Sequence, residues 1–120
     1  MARYRPFTPV PGAPPTLPGI ISQRGMVLPV VEPRPLLGFA VTEATRSARF
    51  IIVVHHDVGM ALLAEAVLDL VRLPARAVEP VPGSLNPEHA RFLRGVAQRD
   101  EVPIGLLDLD EIITGLREKA

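Results

Sequence analysis

Two clusters of polar side chains have the composition of a metal or acid–base site. In the first cluster His55, His56 and Asp57 are consecutive, and imidazole and carboxylate groups are common zinc ligands. The residues that lead into this cluster have the pattern of a β-strand, in which neighbouring side chains point to opposite faces. We therefore expect that His55 and His56 do not bind one ion together, and that they form the polar end of a strand.

The second cluster is acidic and lies near the C-terminus. Asp108, Asp110 and Glu111 could hold Mg²⁺ or act as paired carboxylates in catalysis. Helix capping explains the same residues without a ligand, because Asp108 is a good N-cap and Glu111 lies at N3, the position of the second residue of a capping box. The sequence therefore predicts no metal site, no catalytic residue and no cofactor. A small metal-dependent enzyme that uses His55 or His56 stays as a remote alternative.

Arg24 is a third candidate, and its chemistry is recognition rather than catalysis. It precedes Gly25 in a polar turn between two short apolar segments. A guanidinium group is planar, always charged and able to bind a carboxylate through two hydrogen bonds. Most arginines at turns are only solvated, so the residue type alone leaves both a solvated side chain and a protein contact open.

Composition limits the classes of function. The 120 residues are 48% apolar and 22% charged, which is typical of one globular domain or two small subdomains. The net charge is zero, which gives no argument for nucleic acid or an anionic membrane as a partner. The chain has no cysteine, so disulfides and thiol chemistry are excluded. No apolar run approaches the roughly 18 residues of a membrane span, and we expect a cytoplasmic protein.

Hydrophobic patterning predicts β-strands as the elements that position these residues. The proline-rich residues 1–18 predict an extended segment, because proline fixes φ and cannot donate to a ladder. Residues 19–22 and Met26–Val31 predict a hairpin, with Gly25 at a position that needs a positive φ. The β-branched run Arg49–His55 predicts a strand that is buried on both faces.

The C-terminal half predicts a second hairpin and a helix. Residues 92–98 and Val102–Leu107 have strand patterns, and a polar turn separates them. Residues 74–87 are rich in proline and predict a long loop. The last helix is expected to begin near Asp108.

The order of short motifs resembles that of the CheW-like coupling proteins, which are adaptors that join chemoreceptors to the histidine kinase CheA. The resemblance covers about residues 6–115. Its motifs are the Pro-rich approach to Gly19, Arg24-Gly25, Leu36-Leu37-Gly38, the strand at 50–54, Val71-Arg72-Leu73-Pro74, Phe92-Leu93-Arg94-Gly95 and Leu106-Leu107-Asp108.

This resemblance implies an all-β fold of two SH3-like barrel subdomains with a short C-terminal helix. Residues 1–18 would be a Pro-rich extended segment, and residues 19–120 would form a truncated CheW-like domain. The family has further strands before this segment, so the first barrel is expected to be incomplete. The resemblance also implies strands at 60–65 and 68–73, although charges at helical spacing in this Ala/Leu-rich stretch favour a helix. We expect the strands, with helix confined largely to a segment that begins near Asp108 and at most a short turn near Leu36.

The resemblance implies a non-catalytic adaptor. Its partners would be the regulatory domain of a CheA-type histidine kinase and the cytoplasmic tip of a chemoreceptor. Because the Arg-Gly turn lies at the family's binding surface, Ile20, Arg24 and Gly25 are the expected protein-binding residues. An acidic residue from the N-terminal portion helps hold this arginine in the family, so Arg24 is expected to be free here.

An alternative function keeps the fold but not the coupling activity. The chain would then be an incomplete paralogue that self-associates as a homodimer through exposed strand edges, with the contact in its N-terminal half. The resemblance leaves open which receptor and kinase are the partners, and whether the output is motility or another chemosensory response.

Overall fold

A computed structural model describes residues 1–118 as two β-sheets and a short C-terminal helix. The strands are β1 (Ala2–Arg3), β2 (Thr8–Pro9), β3 (Gly19–Gln23), β4 (Met26–Val31), β5 (Arg49–His55), β6 (Val58–Ala64), β7 (Leu93–Arg99) and β8 (Val102–Leu107). The helical elements are a 3-10 turn (Ala75–Ala77), α1 (Pro87–Ala90) and α2 (Leu109–Glu118). The expected all-β class, with two SH3-like barrel subdomains and a C-terminal helix, is confirmed.

The proline-rich N-terminal segment contributes two strands to the larger sheet. That sheet has six strands in the order β1-β5-β6-β4-β3-β2, whereas β7 and β8 form a sheet of two. β1 pairs with the start of β5, and β2 pairs with the start of β3, both antiparallel. The sequence predicted an extended segment at residues 1–18, and the short strands β1 and β2 lie within it. A ladder of two residues needs few backbone N–H donors. A segment with many prolines can therefore still form it.

Three hairpins share one turn geometry, which fixes the register of their strands. In each turn both central residues have a positive φ, the geometry that matches the right-handed twist of the flanking strands. The pairs, with their φ values, are Arg24 (50°) and Gly25 (81°), His56 (48°) and Asp57 (64°), and Asp100 (49°) and Glu101 (66°). The two hairpins that the sequence predicted, around residues 24–25 and 100–101, are confirmed.

The core lies on both sides of the central strands β4 and β6, which run parallel to each other. Successive residues of β4, Val30 and Val31, are both buried but face different clusters. One cluster contains Ile21, Leu28, Val30, Phe50 and Ala61. The other contains Val31, Leu36, Met60, Leu62, Phe92, Ile112 and Leu116. The second cluster joins α2 and Phe92, the residue just before β7, to the larger sheet.

The prediction that β5 is buried on both faces is wrong. Phe50 is buried, but Ile51 is partly exposed and 70% of Val54 is exposed. β5 lies towards the edge of the sheet, where its outer side pairs only with the two residues of β1. The two central strands β4 and β6, rather than β5, have packed side chains on both sides.

Residues 60–73 are a strand followed by irregular chain. β6 ends at Ala64, which confirms the first expected strand and excludes a continuous helix. The second expected strand, at 68–73, is wrong because residues 66–74 have no regular secondary structure. Leu68 is 94% exposed and Leu70 is 86% exposed, so nothing in the described part of the chain packs on them.

The turn predicted near Leu36 is confirmed at residues 34–38. The helix predicted near Asp108 is also confirmed, since α2 begins at Leu109. The short helix α1 was not predicted. Its signals are present, because Asn86 caps it by accepting a hydrogen bond from the Glu88 amide, and Pro87 is its first residue. No helix in residues 1–118 has both the length and the apolar character that crossing a membrane requires.

A buried ion pair closes the end of β4. Glu32 is 1% exposed, and its carboxylate accepts hydrogen bonds from Nε and Nη2 of Arg34 at 2.7 and 2.9 Å. The other nitrogen, Nη1, donates to Glu65 at 2.8 Å and to the hydroxyl of Thr42 at 3.0 Å. The Glu32 amide donates to the Thr16 carbonyl at 2.9 Å. The hydrogen bond to Glu32, helped by Glu65, holds the pKa of the Arg34 guanidinium well above its usual range.

Removal of Arg34 should destabilise the fold strongly. Arg34→Ala leaves the Glu32 carboxylate buried without its cation, and such a change costs about 3 kcal/mol or more of unfolding free energy. Urea unfolding measures this cost. The matched control is Arg72→Ala, since Arg72 is exposed in the irregular segment and should change stability by less than about 0.5 kcal/mol. Equal unfolding midpoints for the two variants would show that the ion pair is not needed.

Candidate functional site

The structure brings the three expected binding residues together on the β3–β4 hairpin. Ile20 lies on β3, and Arg24 and Gly25 form the turn at the hairpin tip. The side chain of Arg24 is exposed and makes no ion pair or hydrogen bond with any residue from 1 to 118. Gly25 is also exposed, with open space where a Cβ would be. The guanidinium group is therefore available to a carboxylate outside the chain.

An apolar surface adjoins this arginine. Antiparallel pairing places Ile20 opposite Pro29 and Ser22 opposite Val27, so these four side chains share the outward side of the hairpin. We call Ile20, Val27, Pro29 and the tip residue Arg24 the hairpin face. Val27 is 68% exposed, although Leu28 beside it is buried. Exposed apolar side chains beside a charged group are typical of a protein contact surface.

Sequence reasoning missed Val27 and Arg5. Val27 could have been found, because β4 alternates between outward and inward side chains and Val27 precedes the inward Leu28. Arg5 had no signal, since its partners are 17 and 18 residues away in the chain. Its guanidinium donates to the Ser22 carbonyl and to Oε1 of Gln23, the latter at 3.1 Å. Arg5 thereby anchors the hairpin near its tip and adds a second positive charge there.

The histidine cluster differs from the sequence prediction. His55 and His56 were expected to point to opposite faces, but their rings meet edge to face with centroids 4.2 Å apart. Both Nε2 atoms approach Oδ1 of Asp110, at 2.8 Å from His55 and 3.4 Å from His56. The cause is the backbone of His56, whose φ of 48° ends the alternation of the strand. The hydrogen bond from His55 is the main reason that the pKa of Asp110 lies below its usual range.

The acidic cluster separates into three different roles. Asp108 caps α2 as predicted, since its Oδ1 accepts a hydrogen bond from the Glu111 amide at 3.1 Å. The carboxylate of Glu111 accepts from Nε of Arg91 at 2.6 Å, rather than completing a capping box. Arg91 also donates to Glu118, and these two carboxylates raise its pKa well above the usual range. Asp110 turns towards the histidines, so the three acids do not converge on one point.

Comparisons with known proteins give one consistent result. The profile of the family described as "CheW-like domain" matches residues 1–117. The chemotaxis protein CheW of Rhizobium meliloti (strain 1021) is 31% identical over 117 residues, which cover 98% of this chain and 76% of that protein. The chemotaxis protein CheW of Bacillus subtilis (strain 168) is 23% identical over 111 residues, which cover 92% of this chain and 71% of that protein.

One solved structure extends this similarity to three dimensions. The scaffolding protein TtCheW from Thermoanaerobacter tengcongensis matches with a TM-score of 0.80 and 25% sequence identity. The match covers 90% of this chain and 70% of that chain.

The geometry of the hairpin tip should depend on Gly25. Its φ of 81° is costly for a residue with a Cβ, so Gly25→Ala should destabilise the fold by about 1 kcal/mol although no atom clashes. Thermal unfolding followed by circular dichroism measures this. Gly83→Ala is the matched control, because a Cβ there also meets nothing and its φ is not in the left-handed region. A loss in Gly83→Ala as large as in Gly25→Ala would contradict the conformational explanation.

Proposed function

This chain belongs to the CheW-like domain family, and from that premise we infer that it is a non-catalytic coupling adaptor of bacterial chemosensory signalling. An adaptor of this kind works by geometry, because it holds one protein in a fixed position relative to another. The single observation that carries the assignment is the family match over residues 1–117. The adaptor role requires rigid surfaces that other proteins can contact, and we propose the hairpin face as such a surface.

The partners that we propose are a chemoreceptor and a histidine kinase. The hairpin face would contact the cytoplasmic tip of the receptor, with Ile20, Arg24 and Gly25 at its centre. Arg24 would bind a receptor carboxylate through paired hydrogen bonds, while Ile20 and Val27 would bury apolar surface. Buried Ile21 and Leu28 support this proposal, because they hold the hairpin against the core. These partners would place the adaptor in the cytoplasm.

The second contact that we propose is with the regulatory domain of a CheA-type kinase, through strand edges. Residues 51–55 of β5 have no strand partner on their outer side within residues 1–118, and β8 pairs only with β7. Open strand edges accept strands or edges from other proteins. No catalytic residue takes part in either contact, so the activity of the complex would belong to the kinase.

A homodimer is the second candidate assembly, and a specific surface favours it. Ile51, Leu68, Val71, Val102 and Ile104 line one surface depression, which we call the apolar groove. Exposed apolar areas of this kind promote association. The groove combines one residue of the N-terminal half with four of the C-terminal half, so the self-contact that we propose extends beyond the N-terminal half that the sequence predicted.

Receptor binding should depend on the charge and the shape of Arg24. Arg24→Glu should weaken binding to a soluble receptor signalling fragment by about 30-fold or more, since attraction becomes repulsion. Arg24→Lys should also bind more weakly, because an ammonium group cannot make the paired contact. Isothermal titration measures both affinities, with melting curves to show that the variants are folded.

Arg76→Glu is the control for this experiment, because Arg76 is an exposed arginine of the 3-10 turn outside the hairpin face. It should bind the receptor fragment normally. If Arg24→Glu also binds normally, the hairpin face is not the receptor surface. If it unfolds the domain, Arg24 is structural.

Self-association should depend on the apolar groove. Light scattering at high micromolar concentration should give the mass of a dimer or larger assembly, and Val102→Glu should shift that mass towards the monomer. Val54→Glu is the matched control, because Val54 is similarly exposed on β5 but does not line the groove. A monomeric mass for the unmodified chain would rule out the homodimer, and equal effects of both variants would place the contact elsewhere.

A further inference from the structure

We propose that His55, His56 and Asp110 form a surface binding site for a divalent transition-metal ion of the Zn²⁺ type. His55 is the last residue of β5, His56 lies in the turn between β5 and β6, and Asp110 belongs to the first turn of α2. One ligand atom of each residue lies within 4.8 Å of the ligand atoms of the other two. The site does not depend on the hairpin face, and its function would be to link two distant parts of the chain.

The separations of the ligand atoms suit a small ion. In a tetrahedral zinc site with bonds of 2.0–2.1 Å, ligand atoms lie about 3.3 Å from each other. Nε2 of His56 is 3.4 Å from Oδ1 of Asp110, and Nε2 of His55 is 2.8 Å from the same oxygen. A shift of the Asp110 carboxylate by about half an ångström away from His55 therefore gives it the spacing of a zinc ligand. Both imidazoles and one carboxylate would bind, and water would complete the coordination.

The positions of the ligands are fixed by the backbone of the β5–β6 turn and of the first turn of α2. Asp57 follows His56 at a φ of 64°, which completes the tight turn that points both rings to one side. α2 is capped by Asp108 and packed through Ile112, so its first turn is fixed relative to the sheet. Ligands on such rigid elements pay little conformational entropy when an ion binds.

The charges around the site favour a cation that can accept lone pairs. An imidazole nitrogen without a proton is a lone-pair donor, and Asp110 contributes a negative charge beside both rings. A divalent ion accepts a lone pair from each ring and neutralises Asp110 at once. Arg94 lies close enough to act on Asp110 and opposes the binding of a cation. Asp57 adjoins His56 in the chain and adds a negative charge. The donor set of nitrogen and oxygen selects Zn²⁺ over Mg²⁺ or Ca²⁺.

Titration of the untagged chain with Zn²⁺ tests the site. Isothermal titration should show one saturable site per chain. Asp110→Asn and His56→Asn should each weaken the affinity by about 10-fold or more, since each removes or alters one ligand. Asparagine is chosen at position 56 because it tolerates a positive φ, so the turn keeps its shape. Saturating Zn²⁺ should raise the melting temperature by several degrees, and EDTA should reverse the rise.

Two controls separate this site from general metal binding. Asp100→Asn removes an exposed carboxylate from the turn between β7 and β8, and His89→Ala removes the third histidine of the chain. Both variants should bind Zn²⁺ like the unmodified protein. Mg²⁺ at the same concentration should give no thermal shift. The proposal is overturned if no saturable site is found below about 1 mM Zn²⁺, or if the variants at positions 56 and 110 bind as tightly as the controls.

Discussion

The burial of one carboxylate constrains the whole larger sheet. Glu32 follows directly after the central strand β4 and is almost fully inaccessible, so its charge must be balanced within the protein. Arg34 supplies that balance through two hydrogen bonds, and its third nitrogen reaches Glu65 just after the end of β6. The backbone of Glu32 also bonds to Thr16. The N-terminal segment and the ends of the two central strands therefore meet at one ion pair.

The rigid presentation of the hairpin face depends on this arrangement. β4 is held at one end by the ion pair and along its length by Leu28, Val30 and Val31, all buried. The same strand presents Val27 and Pro29 outward, because side chains alternate. An adaptor needs such a surface, since a flexible hairpin would lose the fixed geometry between two partners. The N-terminal segment contributes through Arg5, which holds the hairpin close to its tip.

Three arginines show how the surroundings decide the role of one residue type. Arg34 neutralises a buried carboxylate, Arg91 links α1 to α2 through Glu111 and Glu118, and Arg24 has no partner within the described residues. The first two are committed to the fold, and their carboxylate partners raise their pKa values accordingly. Only an arginine without an internal partner can offer both its charge and its paired hydrogen bonds to another protein. This contrast supports the proposal that Arg24 belongs to a contact surface.

The sequence by itself determined the features that depend on neighbouring residues. The β3–β4 and β7–β8 hairpins, the turn at residues 34–38 and the cap at Asp108 were all predicted, because alternation, turn residues and capping act over a few positions. Tertiary structure alone decided which strands pair and what covers them. It placed the N-terminal segment in the sheet, left Val54 and Leu68 exposed, and joined Arg34 to Glu65. It also brought His55 to Asp110, which is 55 residues away. The backbone next to this contact has a positive φ at His56, and the sequence has no glycine there that would have indicated it. Contacts over such distances depend on how whole elements pack, and that packing is set by the burial of the entire chain rather than by any local pattern.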